Sequence, residues 1–114
     1  MQAELPICPE HGRALKVAKT KWGLRHACPD RLCTVALWDR STSTPADQET
    51  RTARRVTHMQ LDTLWRRGLY HRTTLYACLA IVMKMTKAEC HIGKMDQAQC
   101  ARVRKFCKLI RELK

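Results

Sequence analysis

The chain has 114 residues, enough for one domain or two small modules, and carries 22 Lys and Arg against 10 Asp and Glu, a net charge of +12. It has no run of 18 apolar residues, which excludes a membrane-spanning helix, and its first residues lack the basic and apolar regions of a secretory signal. Without such a signal, seven cysteines argue against a disulfide scaffold and for the reducing cytosol, where cysteines bind metal or fill cores.

Residues 1–44 predict a zinc-binding β-hairpin module. Short alternations of apolar and polar residues indicate strands near residues 15–17, 22–24 and 35–38. The order Cys-Pro-x-His-Gly at residues 8–12 is typical of a zinc knuckle, because proline starts a tight turn and glycine allows its left-handed exit. A second cysteine pair follows at the distance of a hairpin. We therefore predict one structural Zn2+, bound by Cys8, His11, Cys28 and Cys33.

Other interpretations of these residues stay open from the sequence alone. The thiols would otherwise be free, or Cys28 and Cys33 would form a disulfide. The four residues between these two cysteines exceed the usual two, so His26 is the first substitute ligand to consider. The remaining cysteines in apolar helical patterns are predicted to be core residues: Cys78, Cys100 and Cys107.

Residues 45–114 predict a basic module of about three helices, preceded by a polar connector at residues 39–44. The first helix is predicted to start with Thr44 as its cap and to stop at Gly68. Thr73 or Thr74 would cap the second, and Asp96 with Gln99 would form a capping box for the third. The predicted fold class is therefore α+β, a small zinc ribbon-like β-hairpin followed by about three α-helices, packed as one compact unit. The predicted helices span residues 45–67, 75–85 and 96–113.

Motifs in the helical module carry a resemblance to a known family. Residues 91–96, His-Ile-Gly-Lys-Met-Asp, followed by Cys100, are similar to a His-Ile-Gly-x-aromatic-Asp-x-x-x-Cys signature. The chain thus resembles small zinc-finger-containing proteins encoded mostly by tailed bacteriophages and prophages, and it departs from them at His11, where cysteine is usual, and at Met95. The resemblance implies expression in the cytoplasm of an infected bacterial host. Further residues that match the family are His58, Leu64, Trp65, Arg72 and Tyr76.

The excess of positive charge predicts a polyanionic partner. Phosphate oxygens need cations at several fixed points, and a rigid helix supplies that spacing. Trp22 and Trp38, if exposed on the ribbon, would stack on unpaired bases. We therefore predict a nucleic-acid-binding accessory protein that contacts DNA or RNA, mostly without sequence preference. The predicted phosphate contacts are Arg51, Arg54, Arg55, Arg104, Lys108 and Arg111.

A protein–protein interaction module is the alternative function. Its partner would be an acidic host protein, such as a component of a defence or transcription complex, and its basic residues would form the docking surface. An enzyme is not expected, because the sequence has no glycine-rich phosphate loop and no motif of a zinc deaminase. We accordingly expect no catalytic residue, no small-molecule substrate and no membrane partner.

Overall fold

A computed structural model of the protein describes residues 6–39, 41, 43–68 and 70–113. Three strands precede three α-helices, which confirms the predicted α+β fold class. The chain divides into two compact units, which we name the ribbon unit (Met1–Arg51) and the helical unit (Thr52–Lys114). Residues 1–5 and two positions of the predicted connector, 40 and 42, lie outside the described residues. The elements are β1 (Lys16–Thr20), β2 (Gly23–Ala27), β3 (Ala36–Trp38), α1 (Gln48–Arg66), α2 (Arg72–Met83), a 3-10 turn (Ile92–Lys94) and α3 (Gln97–Glu112).

The ribbon unit is built on an antiparallel sheet with the strand order β1-β2-β3. A two-residue turn joins β1 to β2, and Thr20 fixes it, because its hydroxyl accepts a hydrogen bond from Trp22 N at 3.1 Å and donates one to Gly23 O at 2.7 Å. Gly23 has φ +120°, a conformation that side-chain-bearing residues rarely adopt. The turn therefore holds the β1–β2 register in which Thr20 pairs with Gly23.

The core of the ribbon unit is small. Its cluster of buried apolar residues consists of Cys8, Leu15, Cys28 and Val35, with Cys33 and Leu37 packed against them. Half of the buried set consists of predicted zinc ligands, so few apolar side chains remain to hold the sheet. A unit with so little buried apolar surface depends on a further constraint such as a bound metal.

Helix α1 begins later than predicted, at Gln48, and Thr44 is not its cap. Asp47 takes that role, because its Oδ1 accepts a hydrogen bond from Thr50 N at 2.8 Å. The physical reason lies in Ala46, whose backbone pairs with Ala36 in an isolated β-bridge and therefore cannot enter the helix. The sheet, rather than the local cap signal, sets the start of α1.

Helix α2 also differs from its prediction, since it runs from Arg72 to Met83. Thr73 and Thr74 lie inside it and do not cap it, and its N-cap position is occupied by His71 without a side-chain hydrogen bond. Lys84 ends the helix in a left-handed conformation with φ 57°, which turns the chain out of the helix.

Within the described residues, no helix is both long and apolar enough to span a membrane.

The helical unit has a larger core to which α1, α2 and α3 all contribute. The predicted burial of Cys100 and Cys107 is confirmed, whereas the predicted burial of Cys78 is wrong because this residue is exposed. The buried stripe of α2 follows Leu75, Leu79 and Met83, so Cys78 falls beside it. The fully buried large side chains of this unit are Leu61, Leu64, Leu79, Met95, Val103, Thr57, Cys100 and Cys107.

Helix α3 begins with the predicted capping box. Asp96 accepts a hydrogen bond from Gln99 N at 2.7 Å, and the Gln99 side chain accepts one from Asp96 N at 3.0 Å. We expect Asp96→Ala to lower the free energy of unfolding by about 1 kcal/mol, because an N-cap amide loses its acceptor. Asp96→Asn is the matched control and keeps most of the stability. Urea denaturation followed by circular dichroism measures both, and equal stability of wild type and Asp96→Ala would contradict the role of the box.

Candidate metal centre

The structure brings together the ligand atoms of four residues in the ribbon unit, and all of them lie within 4.8 Å of one another. They are the residues that the sequence predicts as zinc ligands: Cys8, His11, Cys28 and Cys33. Both Cys8 and Cys28 are buried, whereas His11 is exposed. The seven cysteines are free thiols, so the alternative disulfide between Cys28 and Cys33 is absent. No second group of this kind occurs among the described residues.

The first ligand pair is held by the loop before β1. Gly12 N donates a hydrogen bond to Cys8 O at 2.8 Å, and Gly12 has φ +67°. This left-handed exit reverses the chain, so that Cys8 N can donate to Arg13 O at 2.8 Å. The tight turn places the Cys8 sulfur and the His11 ring on the same side of the loop, 3.6 Å apart from Sγ to Nδ1.

The second pair lies on a longer loop that Asp30 shapes. Asp30 Oδ1 accepts a hydrogen bond from Leu32 N at 2.9 Å, and Asp30 O accepts one from Cys33 N at 3.2 Å. Cys28 N donates to Val35 O at 3.0 Å, which closes the base of the loop. The four intervening residues therefore form an ordered turn, and the unusual spacing still returns Cys33 to the cluster.

The separations between ligand atoms fit a tetrahedral zinc site. With ordinary Zn–S and Zn–N bonds, two sulfur ligands lie about 3.8 Å apart and a sulfur and a nitrogen about 3.5 Å apart. The Cys8 and Cys33 sulfur atoms are 3.7 Å apart, and the His11 Nδ1 lies 3.6 Å from the sulfur atoms of both Cys8 and Cys28. Three thiols and one imidazole at these distances match the ligand chemistry of a structural zinc.

A metal ion that binds the cluster displaces protons from its side chains. Burial opposes ionisation of Cys8, yet the His11 side chain and two backbone amides together lower the pKa of Cys8 to about 7. The contact with Cys8 is the main cause that raises the pKa of His11. Burial above all raises the pKa of Cys33 to about 12, and the neighbouring thiols add to it. Zinc takes thiolates and neutral imidazole, so its binding must release protons from these groups.

Asp30 is a neighbour of the ligand cluster that the sequence prediction missed. Its Oδ2 lies 3.7 Å from His11 Nε2, the ring nitrogen that faces away from the thiols. Zinc-bound histidines usually point this second nitrogen at a carboxylate, which fixes the tautomer and the orientation of the ring. The two residues are on different loops, so no spacing rule could have paired them.

His26, the substitute ligand considered from the sequence, lies outside the cluster. Its ring is buried in β2, and its Nε2 lies 3.1 Å from Asp39 Oδ1. Its Nδ1 is buried without a hydrogen-bond partner among the described residues. This histidine therefore orients toward the end of β3 rather than toward the thiols.

Of the six predicted phosphate-binding cations, three donate hydrogen bonds to the protein and three are exposed. Arg51 belongs to the ribbon unit and the other five to the helical unit. Three guanidinium groups donate to acceptors of the protein: Arg51 Nη1 to Thr34 O at 2.8 Å, Arg54 Nε to Met95 O at 2.8 Å, and Arg104 Nη1 to Thr57 Oγ1 at 3.0 Å. The exposed members of the set are Arg55, Lys108 and Arg111.

The His-Ile-Gly segment has a structural role in the helical unit. Ile92 and Met95 are buried, and Asp96 caps α3. His91 is exposed and lines a shallow cleft with His58 and neighbouring residues. The segment thus closes the core between α2 and α3 and sets the start of α3.

A family model described as a zinc-finger-containing domain matches residues 20–111. The match includes Cys28, Cys33 and all three α-helices, and it begins after Cys8 and His11. No curated protein and no solved structure matches the chain. Together, the family match and the ligand cluster suit one structural zinc ion.

We expect purified protein to contain one zinc per chain, and Cys8→Ser or Cys33→Ser to release it and unfold the ribbon unit, because metal binding supplies much of the folding free energy. Elemental analysis and circular dichroism measure the two effects. Cys78→Ser, which changes an exposed cysteine of α2, is the matched control and keeps the metal. Retention of zinc by Cys33→Ser, with its loss in His26→Ala, would contradict the ligand assignment.

The carboxylate beside His11 gives a separate prediction. We expect Asp30→Asn to weaken zinc binding by about tenfold, because the His11 ring loses the charged acceptor that orients it. Competition with a chromophoric chelator measures the affinity. Asp39→Asn, which changes the carboxylate beside His26, leaves the affinity unchanged. An equal loss in both variants would show that Asp30 acts only through the general negative charge of the unit.

Proposed function

The chain belongs to the zinc-finger-containing domain family, and on this premise we propose that it is a non-catalytic nucleic-acid-binding protein whose ribbon unit is stabilised by zinc. Its partner is DNA or RNA, contacted mainly through phosphates and with little base readout. It acts in the cytoplasm of an infected bacterial host, a role that the resemblance of residues 91–96 and Cys100 to phage-encoded proteins supports.

One observation carries the proposal, namely the distribution of charge between the two units. Residues 52–114 contain 14 Lys and Arg but 4 Asp and Glu, whereas residues 1–51 contain 8 and 6. The carboxylates of the helical unit do not offset this excess. Asp62 accepts a hydrogen bond from Trp65 Nε1 and lies 3.4 Å from His58 Nε2, and Asp96 caps α3. A surface of this charge attracts a polyanion over a long range.

The exposed cations of the helical unit are the proposed phosphate contacts. Lys105, Lys108 and Arg111 follow one another along α3 at helical spacing, and Arg55 is exposed on α1. Regular spacing of cations on a rigid helix suits the regular spacing of phosphates on a strand. Arg54 donates to Met95 O and Arg104 to Thr57 Oγ1, and in this proposal these two arginines position the helices.

A binding role also agrees with the chemistry of the zinc cluster. Four protein ligands fill a tetrahedral site, which leaves no position for a catalytic water. A structural metal stabilises the fold and does not take part in a reaction. We therefore assign the cluster a structural role and propose that the protein has no enzymatic activity.

An interaction module for an acidic host protein is the second candidate, and the surface of α2 favours it. Ile81 is 77% exposed and Val82 is 51% exposed, and Cys78 lies exposed on the preceding turn. Exposed apolar side chains that cluster on one helix often mark a protein interface. In this function the basic residues would guide the partner and α2 would contact it.

The salt dependence of binding tests the leading proposal. We expect the logarithm of the affinity for labelled duplex DNA to fall with the logarithm of salt concentration by about 0.9 per phosphate contacted, and for single strands by about 0.7. Lys108→Glu with Arg111→Glu should reduce this slope by about two units, because two contacts are lost. Fluorescence anisotropy at several salt concentrations measures both proteins.

Lys16→Glu with Lys19→Glu is the matched control, since it makes the same change of charge on exposed residues of β1. This variant should keep the slope of the wild type. Equal losses in the two variants would mean that net charge alone attracts the nucleic acid. Binding weaker than micromolar at physiological salt, equal for all three proteins, would contradict the proposal and favour the protein interaction module.

A further inference from the structure

A cleft of about 300 Å³ opens on one side of the sheet in the ribbon unit. Two indole rings and two guanidinium groups line it, contributed by Trp22, Trp38, Arg25 and Arg51. Neither the zinc cluster nor the basic surface of the helical unit uses these side chains together. The cleft is therefore distinct from both the zinc cluster and the basic surface of the helical unit.

The backbone holds the aromatic residues of the cleft in place. Arg25 of β2 lies directly opposite Trp38 of β3, so both side chains project from the same face of the sheet. Trp22 lies in the β1–β2 turn that the Thr20 hydroxyl fixes. Trp22 is 74% exposed and Trp38 is 44% exposed. Exposed aromatic side chains that are grouped at one cleft often mark a ligand-binding site.

The charges of the cleft favour an anion. Arg51 is anchored, because its Nη1 donates to Thr34 O at 2.8 Å and to Ala46 O at 3.1 Å. Burial in the first place, and then the nearby charge of Arg25, lower the pKa of Arg51, while the Asp47 carboxylate opposes this shift. No carboxylate belongs to the lining of the cleft in the described part of the chain. Two neighbouring guanidinium groups of like charge are stabilised by an anion that both can contact.

We propose that this cleft binds one unpaired nucleotide of a nucleic-acid strand, with the base against the indole rings and the phosphate at Arg25 and Arg51. Lys21 Nζ lies over one face of the Trp22 ring, 4.5 Å from its centre, so the base would contact the other face. The inference rests on the proposed function and specifies it, because bases in a duplex are already stacked and cannot enter. The protein should therefore bind a single strand more tightly than a duplex of equal length.

Anisotropy titrations with a labelled oligothymidylate of about ten nucleotides, and with a duplex of the same length, test this. We expect Trp22→Ala and Trp38→Ala each to weaken single-strand binding by about 5- to 100-fold and to leave duplex binding unchanged. Arg25→Met should also weaken single-strand binding and reduce its salt slope by about 0.7. Trp38→Phe keeps an aromatic ring on β3 and should restore part of the affinity. Zinc content, measured on every variant, reports an intact ribbon unit.

Leu24→Ala and Lys19→Met are the matched controls, since these paired residues lie on the other face of the sheet. Both should bind as the wild type does. Unchanged single-strand affinity in Trp22→Ala, Trp38→Ala and Arg25→Met would overturn the inference, while a slope still lost in Lys108→Glu with Arg111→Glu would leave the proposed function standing.

Failure of the wild type to bind any oligonucleotide would instead refute the proposed function. In that case, binding of thymidine monophosphate, which carries one base and one phosphate, tests the cleft by itself. Quenching of tryptophan fluorescence that Trp38→Ala removes would support the cleft as a nucleotide site. Absence of quenching in the wild type would overturn it.

Discussion

The ribbon unit depends on a cluster of three thiols and one imidazole, whose ligand atoms all lie within 4.8 Å of one another. Two of the four residues in its buried apolar cluster, Cys8 and Cys28, are also ligand residues, so the metal site and the core share residues. A three-stranded sheet with so few buried apolar side chains gains little from the hydrophobic effect alone. The ligand cluster, which joins two loops, therefore supplies the constraint that a larger core would otherwise supply.

The helical unit is stabilised in a different way. It has a continuous core to which three helices contribute, and arginines connect its parts through hydrogen bonds to backbone and hydroxyl oxygens. Arg54 reaches Met95 O, and Arg104 reaches the buried Thr57 hydroxyl. The cations of the chain thus fall into two groups, because some form hydrogen bonds within the fold and others are exposed. Charge counted from the sequence overstates the number of cations available for binding.

Features that depend on neighbours in the sequence could be predicted, and features that depend on distant contacts could not. The capping box of Asp96 and the four residues of the ligand cluster follow from local spacing. By contrast, Thr44 has the local character of a cap, but the bridge between Ala36 and Ala46 holds the backbone extended and moves the start of the helix to Gln48. The approach of Asp30 to His11 joins two loops that only the folded sheet brings together. The exposure of Cys78 likewise depended on which stripe of α2 faces the core, and an amphipathic pattern with several apolar stripes does not decide this.

The β1–β2 hairpin is closed at its base, since Cys8 and His11 precede β1 and Cys28 and Cys33 follow β2. The cluster therefore holds the two ends of the hairpin together, whereas the helical unit has a core of its own. In a zinc-starved cell the molecule would become half folded, with an opened ribbon attached to intact helices. Unfolded segments are the preferred substrates of cellular proteases. The abundance of the protein would accordingly follow the zinc supply of the cell, and zinc would act on its lifetime as well as on its shape.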